Sequence, residues 1–130
     1  MIDPTIRCLL EQAVDSPIKL QLLLLFHENP SLEATSTQIA QRIFRDIWST
    51  REALRELAED GILVATPGRD EPTYRYRPAP DLIEPIQRLI QSYNEPLERD
   101  SLHRALRQIA GDAPYRRAMR RGQSYEAVAM

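Results

Sequence analysis

LRELAEDGILVATPG, residues 54–68, decides how the rest of the chain is read. Leu54, Leu57 and Ala58 recur at helical spacing, and Gly61 stands where helices commonly end in a left-handed residue. Residues 62–66, ILVAT, then have the β-branched content of a strand. A short helix with a charged outer face thus runs straight into a strand. PGRDEP reads as a turn, and the alternating TYRYR that follows is closed by Pro78 and Pro80, which makes a hairpin.

Upstream of that stretch, the helix begins at IWSTRE, with Ile47, Thr50, Leu54, Leu57 and Ala58 facing inward. A tight turn at Arg45-Asp46 separates it from TQIAQRIF, in which Ile39, Ala40, Ile43 and Phe44 form one apolar stripe and Ser36 or Thr37 supplies the cap. NPSLEATS is a connection. Before it, Ser16-Pro17 is an N-cap and first-turn pair that starts PIKLQLLLLFHE, a helix apolar on nearly all sides and therefore central. An opening helix over residues 4–14 presents Ile6, Leu9, Leu10 and Val14. Downstream, DLIEPIQRLIQSY carries Leu82, Ile86, Leu89 and Tyr93 at steps of four, three and four, close to a heptad seam. Asn94 to Pro96 should break this helix, and Leu102, Leu106 and Ile109 resume the same spacing. After Gly111 the chain is expected to be a loosely held basic tail.

The chain of 130 residues, 42% hydrophobic, suits one domain with extensions. Four segments are expected: an N-terminal helix (1–15), a central domain (16–79), C-terminal helices (80–111) and the tail (112–130). The longest apolar run, residues 22–26, is far shorter than the roughly 18–20 residues that cross a bilayer, and the acidic N-terminus is unlike a signal peptide. A cytoplasmic protein is expected. The one cysteine, Cys8, lies beside Leu9 and Leu10 and reads as a small buried apolar residue. Net charge is −2, from 17 basic and 19 acidic residues, where an autonomous nucleic-acid binder is often basic. Sixteen of the 17 bases are Arg, the side chain suited to bidentate contact with phosphate or guanine.

The order helix, helix, tight turn, helix, Gly, strand, turn, strand is that of a winged helix-turn-helix: mainly α with a small β-hairpin, here with flanking N- and C-terminal helices. Residues 18–78 resemble the MarR- and ArsR-type regulators and their winged-helix relatives, the resemblance being carried by TSTQIAQRIFRDIWSTREALRELAEDGILVATPGRDEPTYRYR. It implies a transcriptional regulator whose third helix enters the major groove of duplex DNA. On that reading Trp48, Ser49, Arg51, Glu52 and Arg55 face the groove. Arg69 at the wing tip and Arg75 or Arg77 on the return strand reach backbone or minor groove, and Thr37, Gln38 and Arg42 approach phosphates. Leu82, Ile86, Leu89, Tyr93, Leu102, Leu106 and Ile109 then form the interface of a homodimer that spaces two recognition helices about 34 Å apart. Both sets of terminal helices could instead cover the apolar helix of their own chain.

The same residues admit a second reading. Glu52, Arg55 and Glu59 are spaced for ion pairs along an ordinary solvated face, and a winged helix without DNA-binding activity can serve as a protein-docking adaptor. Arg116, Arg117, Arg120 and Arg121, with Tyr115, could track a phosphate backbone or simply solubilise the terminus. Phe26, Trp48 and Tyr93 could line an effector cavity. No Gly-rich phosphate loop, no metal-ligand spacing and no nucleophile placed beside His27 or His103 is visible, so neither a cofactor nor an enzyme is expected.

Overall fold

A computed structural model describes residues 2–129, with side chains described from 2 to 120. Helix α1 (Pro4–Gln12) is capped by Asp3, whose carboxylate accepts from the Thr5 N–H at 2.7 Å. Ser16 caps α2 (Pro17–Glu28), with Pro17 in the first turn as its sequence requires. Leu20, Leu22, Leu23 and Phe26 of α2 are all buried, because α4 packs on one side of it and α6 on another. Strand β1 (Glu33–Thr35) follows, where a plain connection was expected. Helix α3 (Ser36–Ile43) is capped by Thr35, one residue before the expected Ser36 or Thr37. Thr35 Oγ1 accepts from the Gln38 N–H, and the Gln38 side chain accepts from the Thr35 N–H, which satisfies two otherwise orphaned donors.

Helix α4 (Ile47–Glu59) starts at its N-cap Asp46 and buries Thr50, Ala53, Leu54 and Leu57. Gly61, at φ 90°, turns the chain into β2 (Leu63–Thr66). The hairpin returns through β3 (Thr73–Tyr76), which lies between β1 and β2 in an antiparallel sheet. Ala34 pairs with Tyr74, and Val64 with Arg75. This is a winged helix-turn-helix, with α2, α3 and α4 as its helices, β2 and β3 as its wing, and flanking helices at both ends. Two expectations fail locally. Phe44, read as part of the apolar stripe, is 94% exposed, because it ends α3 in the left-handed conformation (φ 57°) and is directed away from Ile39 and Ala40. Cys8, read as buried, is exposed beside the buried pair Leu9 and Leu10.

Helix α5 (Pro80–Tyr93) packs against α1, and α6 (Pro96–Ala129) against α1, α2 and α5. The loosely held tail expected from residue 112 onward is helical: α6 runs through both Gly111 and Pro114. A Cβ added at Gly111 would meet open space, so this glycine marks no turn. Arg116 donates to the Ile109 carbonyl at 2.8 Å, near the stretch where Pro114 cannot supply an N–H.

One turn further, Arg117 is buried in an ionic cluster that no sequence motif announced. Its Nε lies 2.8 Å from Asp15 and 3.5 Å from Glu56, and its Nη2 2.8 Å from Asp60. Lys19, 3% exposed, places Nζ 2.6 Å from both Asp15 and Glu56. Burial pushes the Asp15 carboxyl up, but its bonds to Lys19 and Arg117 outweigh this and hold it below the usual carboxylate range. The cluster ties the far part of α6 to α2 and to the back of α4. The stripe of Leu102, Leu106, Ile109 and Ala113 leads to Arg117 at helical spacing, which is the signal that could have found it.

Candidate nucleic-acid interface

The side of α4 turned away from the core has two electrostatically different halves. From residue 42 to 51 the chain carries Arg42, Arg45 and Arg51 against Asp46 alone. Asp46 is engaged as the helix cap: its Oδ2 accepts the Ser49 N–H at 2.7 Å, which lowers its pKa. Trp48 is 74% exposed, and the Arg51 guanidinium lies 5.3 Å from its ring centroid. Ser49 and Arg51 are exposed, while Thr50 is buried with its hydroxyl donating to the Asp46 carbonyl at 2.8 Å.

From residue 52 to 60 the balance reverses, with Arg55 between Glu52 and Glu59 on the outer side, while Glu56 and Asp60 are turned into the cluster with Lys19 and Arg117. Arg55 is ion-paired to both Glu52 and Glu59, and the Glu52 hydrogen bond is the main cause of its raised pKa. Glu52 and Arg55, expected to face the groove, are paired with one another and with Glu59 along the helix, as the i,i+3 and i,i+4 spacing allows.

The wing is tied to α3. Glu71 accepts from Thr37 Oγ1 at 2.8 Å and from the Thr37 N–H at 3.2 Å. The Thr37 hydroxyl bond is the largest influence lowering the Glu71 carboxyl's pKa, and the charge of Arg51 adds to it. Thr37, Arg51 and the wing thus meet at one place. Arg42, Arg69 and Arg77 are exposed, as backbone contacts would need. Gln38 and Arg75 are used differently: Gln38 closes the cap of α3, and Arg75 lies in the central strand opposite Glu33 and Val64, with its Nε buried.

The residues expected between two protomers lie elsewhere. Ile86, Leu89, Leu102, Leu106 and Ile109 are buried in the chain's own core, with Leu82 and Tyr93 packed at its edge. The seam closes on α1 and α2, so it cannot also be an open dimer face. Ile83, Leu97, Tyr115 and Met119 are the large apolar side chains that α5 and α6 leave exposed among the described residues. The expected effector cavity does not assemble. Phe26 is buried and Trp48 is in solvent, while the pocket at Tyr93 is lined by Pro17, Leu20, Gln21, Leu24, Arg45 and His103. Of the arginine cluster near the C-terminus, Arg117 is internal and Arg120 exposed, and Arg121 lies outside the residues whose side chains are described. Among the described residues no group of three His, Cys, Asp or Glu converges as a metal ion would need, and no helix is long and apolar enough to cross a membrane.

Comparison with known proteins supports the architecture. The chain is similar to a solved structure described as a possible transcriptional regulator from Methanosarcina mazei Go1, with a TM-score of 0.53 and 17% identity over 76% of this chain and 84% of that one. At that identity the likeness is one of fold. No protein-family model and no curated protein matches the sequence.

Proposed function

We propose that this protein is a transcriptional regulator that binds duplex DNA with the N-terminal half of α4 in the major groove and the wing on the backbone. The observation that carries this reading is the exposed, cationic start of α4: Trp48 and Ser49 are exposed with Arg51 against the Trp48 ring, Arg42 and Arg45 precede them in the chain and are exposed too, and the wing bears exposed Arg69 and Arg77. Recognition helices contact base edges mainly through their N-terminal residues, and arginine is the commonest reader of guanine. The acidic half of α4 would lie away from phosphate, which limits DNA contact to the first turns. The regulator acts as a homodimer on paired half-sites in the cytoplasm, with the exposed apolar side chains of α5 and α6 available for the contact.

The test is a fluorescence-anisotropy titration with random-sequence duplex and with DNA from upstream of the protein's own gene, at two salt concentrations. Salt-sensitive binding that is tighter to the upstream fragment, and weakened by about 1–3 kcal/mol in Arg51→Ala, supports the reading. No binding to either DNA at low salt overturns it. A second reading, that of a protein-docking winged helix, is favoured by the internal pairing of Arg55 with Glu52 and Glu59, which leaves that half of α4 without a free guanidinium. It expects no duplex binding at all.

A further inference from the structure

Two aromatic side chains flank the start of α4 in a way that stability does not explain. Phe44 is 94% exposed and is the one non-glycine residue with positive φ among the described residues. A left-handed residue closing a helix is usually Gly or Asn, so a bulky, solvated phenylalanine there is unfavourable twice over: in backbone and in hydration. Trp48, four residues on and in the first turn of α4, is 74% exposed. Arg42 and Arg45 stand beside Phe44 in the chain, and Arg51 lies against the Trp48 ring. Each exposed ring thus has arginine next to it, Arg51 in space at Trp48 and Arg42 and Arg45 in the chain at Phe44, with Arg45 donating to the Gln21 side chain at 2.8 Å.

That combination suits a surface that is itself polyanionic and offers isolated apolar groups. The major groove of duplex DNA is such a surface, and the apolar group it displays is the thymine C5-methyl. We infer that Phe44 and Trp48 read thymine methyl groups in the major groove, beside the base contact of Arg51, while Arg42 approaches a flanking phosphate. This rests on the duplex-DNA reading above and adds a base preference to it: A·T pairs next to the helix-turn-helix corner. It also gives the strained conformation of Phe44 a purpose, since the left-handed turn is what carries its ring clear of the α3–α4 core.

The experiment uses the full chain, three duplexes and the intrinsic emission of Trp48, the single tryptophan. The duplexes are alternating poly(dA-dT), the same polymer with deoxyuridine in place of thymidine, and alternating poly(dG-dC). Uracil differs from thymine only by the methyl group, so backbone charge and pairing are held constant. Expected are quenching of Trp48 by the thymine duplex and an affinity about fourfold higher per methyl contacted than for the uracil duplex, the factor that burial of one methyl group corresponds to. Phe44→Ala, which removes an exposed side chain and should fold normally by circular dichroism, is expected to lose its own share of the thymine-over-uracil preference, about fourfold, and to keep the share that Trp48 supplies. Trp48→Ala, followed by anisotropy of labelled DNA, should reduce the discrimination in the same way. Equal affinity of the unaltered protein for the thymine and uracil duplexes overturns the methyl readout and leaves duplex binding standing. Discrimination that survives both substitutions overturns the assignment to these residues. Failure to bind any of the three duplexes at low salt removes the DNA reading itself, and this inference with it.

Discussion

Replacing Arg117 by Met tests whether the far part of α6 is held to α4. The substitution keeps much of the side-chain volume and deletes the charge that bridges Asp15 and Asp60 at 2.8 Å each. Removing one partner of a buried ion pair usually costs about 3–5 kcal/mol, because the other charge is left without compensation. Here Lys19 remains 2.6 Å from both Asp15 and Glu56, and Asp60 sits closer to solvent, so the loss should fall at the low end, about 3 kcal/mol. For a chain of this length that corresponds to a fall in Tm of about 10 °C. The assay is thermal and urea unfolding followed by far-UV circular dichroism at neutral pH, with Arg120→Met as the comparison. Arg120 is exposed on the same helix, and its replacement should change stability by less than about 0.5 kcal/mol. If Arg117→Met were no more destabilising than Arg120→Met, the ionic cluster would not be what anchors α6 to α2 and α4.

Two further outcomes can be measured with the same equipment. Asp15 has a lowered pKa in the folded chain, so its contribution to stability is fully present above its unfolded value, about 3.9, and is lost as pH falls through the folded value. The stability gap between the unaltered protein and Asp15→Asn should therefore be wide at neutral pH and shrink as pH falls below about 4; a gap independent of pH would show that the carboxylate is not held by charge. Thr35→Ala removes one half of the reciprocal cap on α3 and should cost about 1 kcal/mol in urea unfolding, whereas Thr37→Ala, which loosens only the exposed contact to Glu71, should cost less.

The parts of the fold that were legible in the sequence are those governed by local rules. Helix α2 runs between the residues expected of it because Ser16-Pro17 fixes its start and an all-round apolar surface fixes its central place. Gly61 and the alternation of residues 73–76 likewise specified the wing. Strand β1 was hidden because Glu33-Ala34-Thr35 has little strand character of its own and exists through pairing with β3, some forty residues later. The course of α6 was hidden for the opposite reason. Gly111 and Pro114 are local break signals, overridden by long-range packing of Leu102, Leu106, Ile109 and Ala113 and by the buried charge of Arg117. Periodicity identified the seam residues of α5 and α6 but not their partner, since an apolar stripe looks the same whether it meets its own chain or another. At the candidate interface, residue types and spacing named Trp48, Ser49 and Arg51, which are exposed in the structure. They could not separate an arginine facing solvent from one engaged by its neighbours, and they placed Phe44 in the core because its turn is invisible to a helical count.

Lys19 is the chain's only lysine, and it is buried. A protease that cuts after lysine therefore has a single internal target, the bond to Leu20, and that bond lies inside α2, where the native chain shields it. Cleavage requires α2 to open, so the rate at which one chain becomes two fragments of unequal length reports the open population directly when reclosing is faster than cutting. The protein thus carries its own one-site clock for excursions of its central helix, readable by mass without label or substitution. The tightening of that clock by DNA would measure binding through a bond in α2, outside the helix proposed to enter the groove.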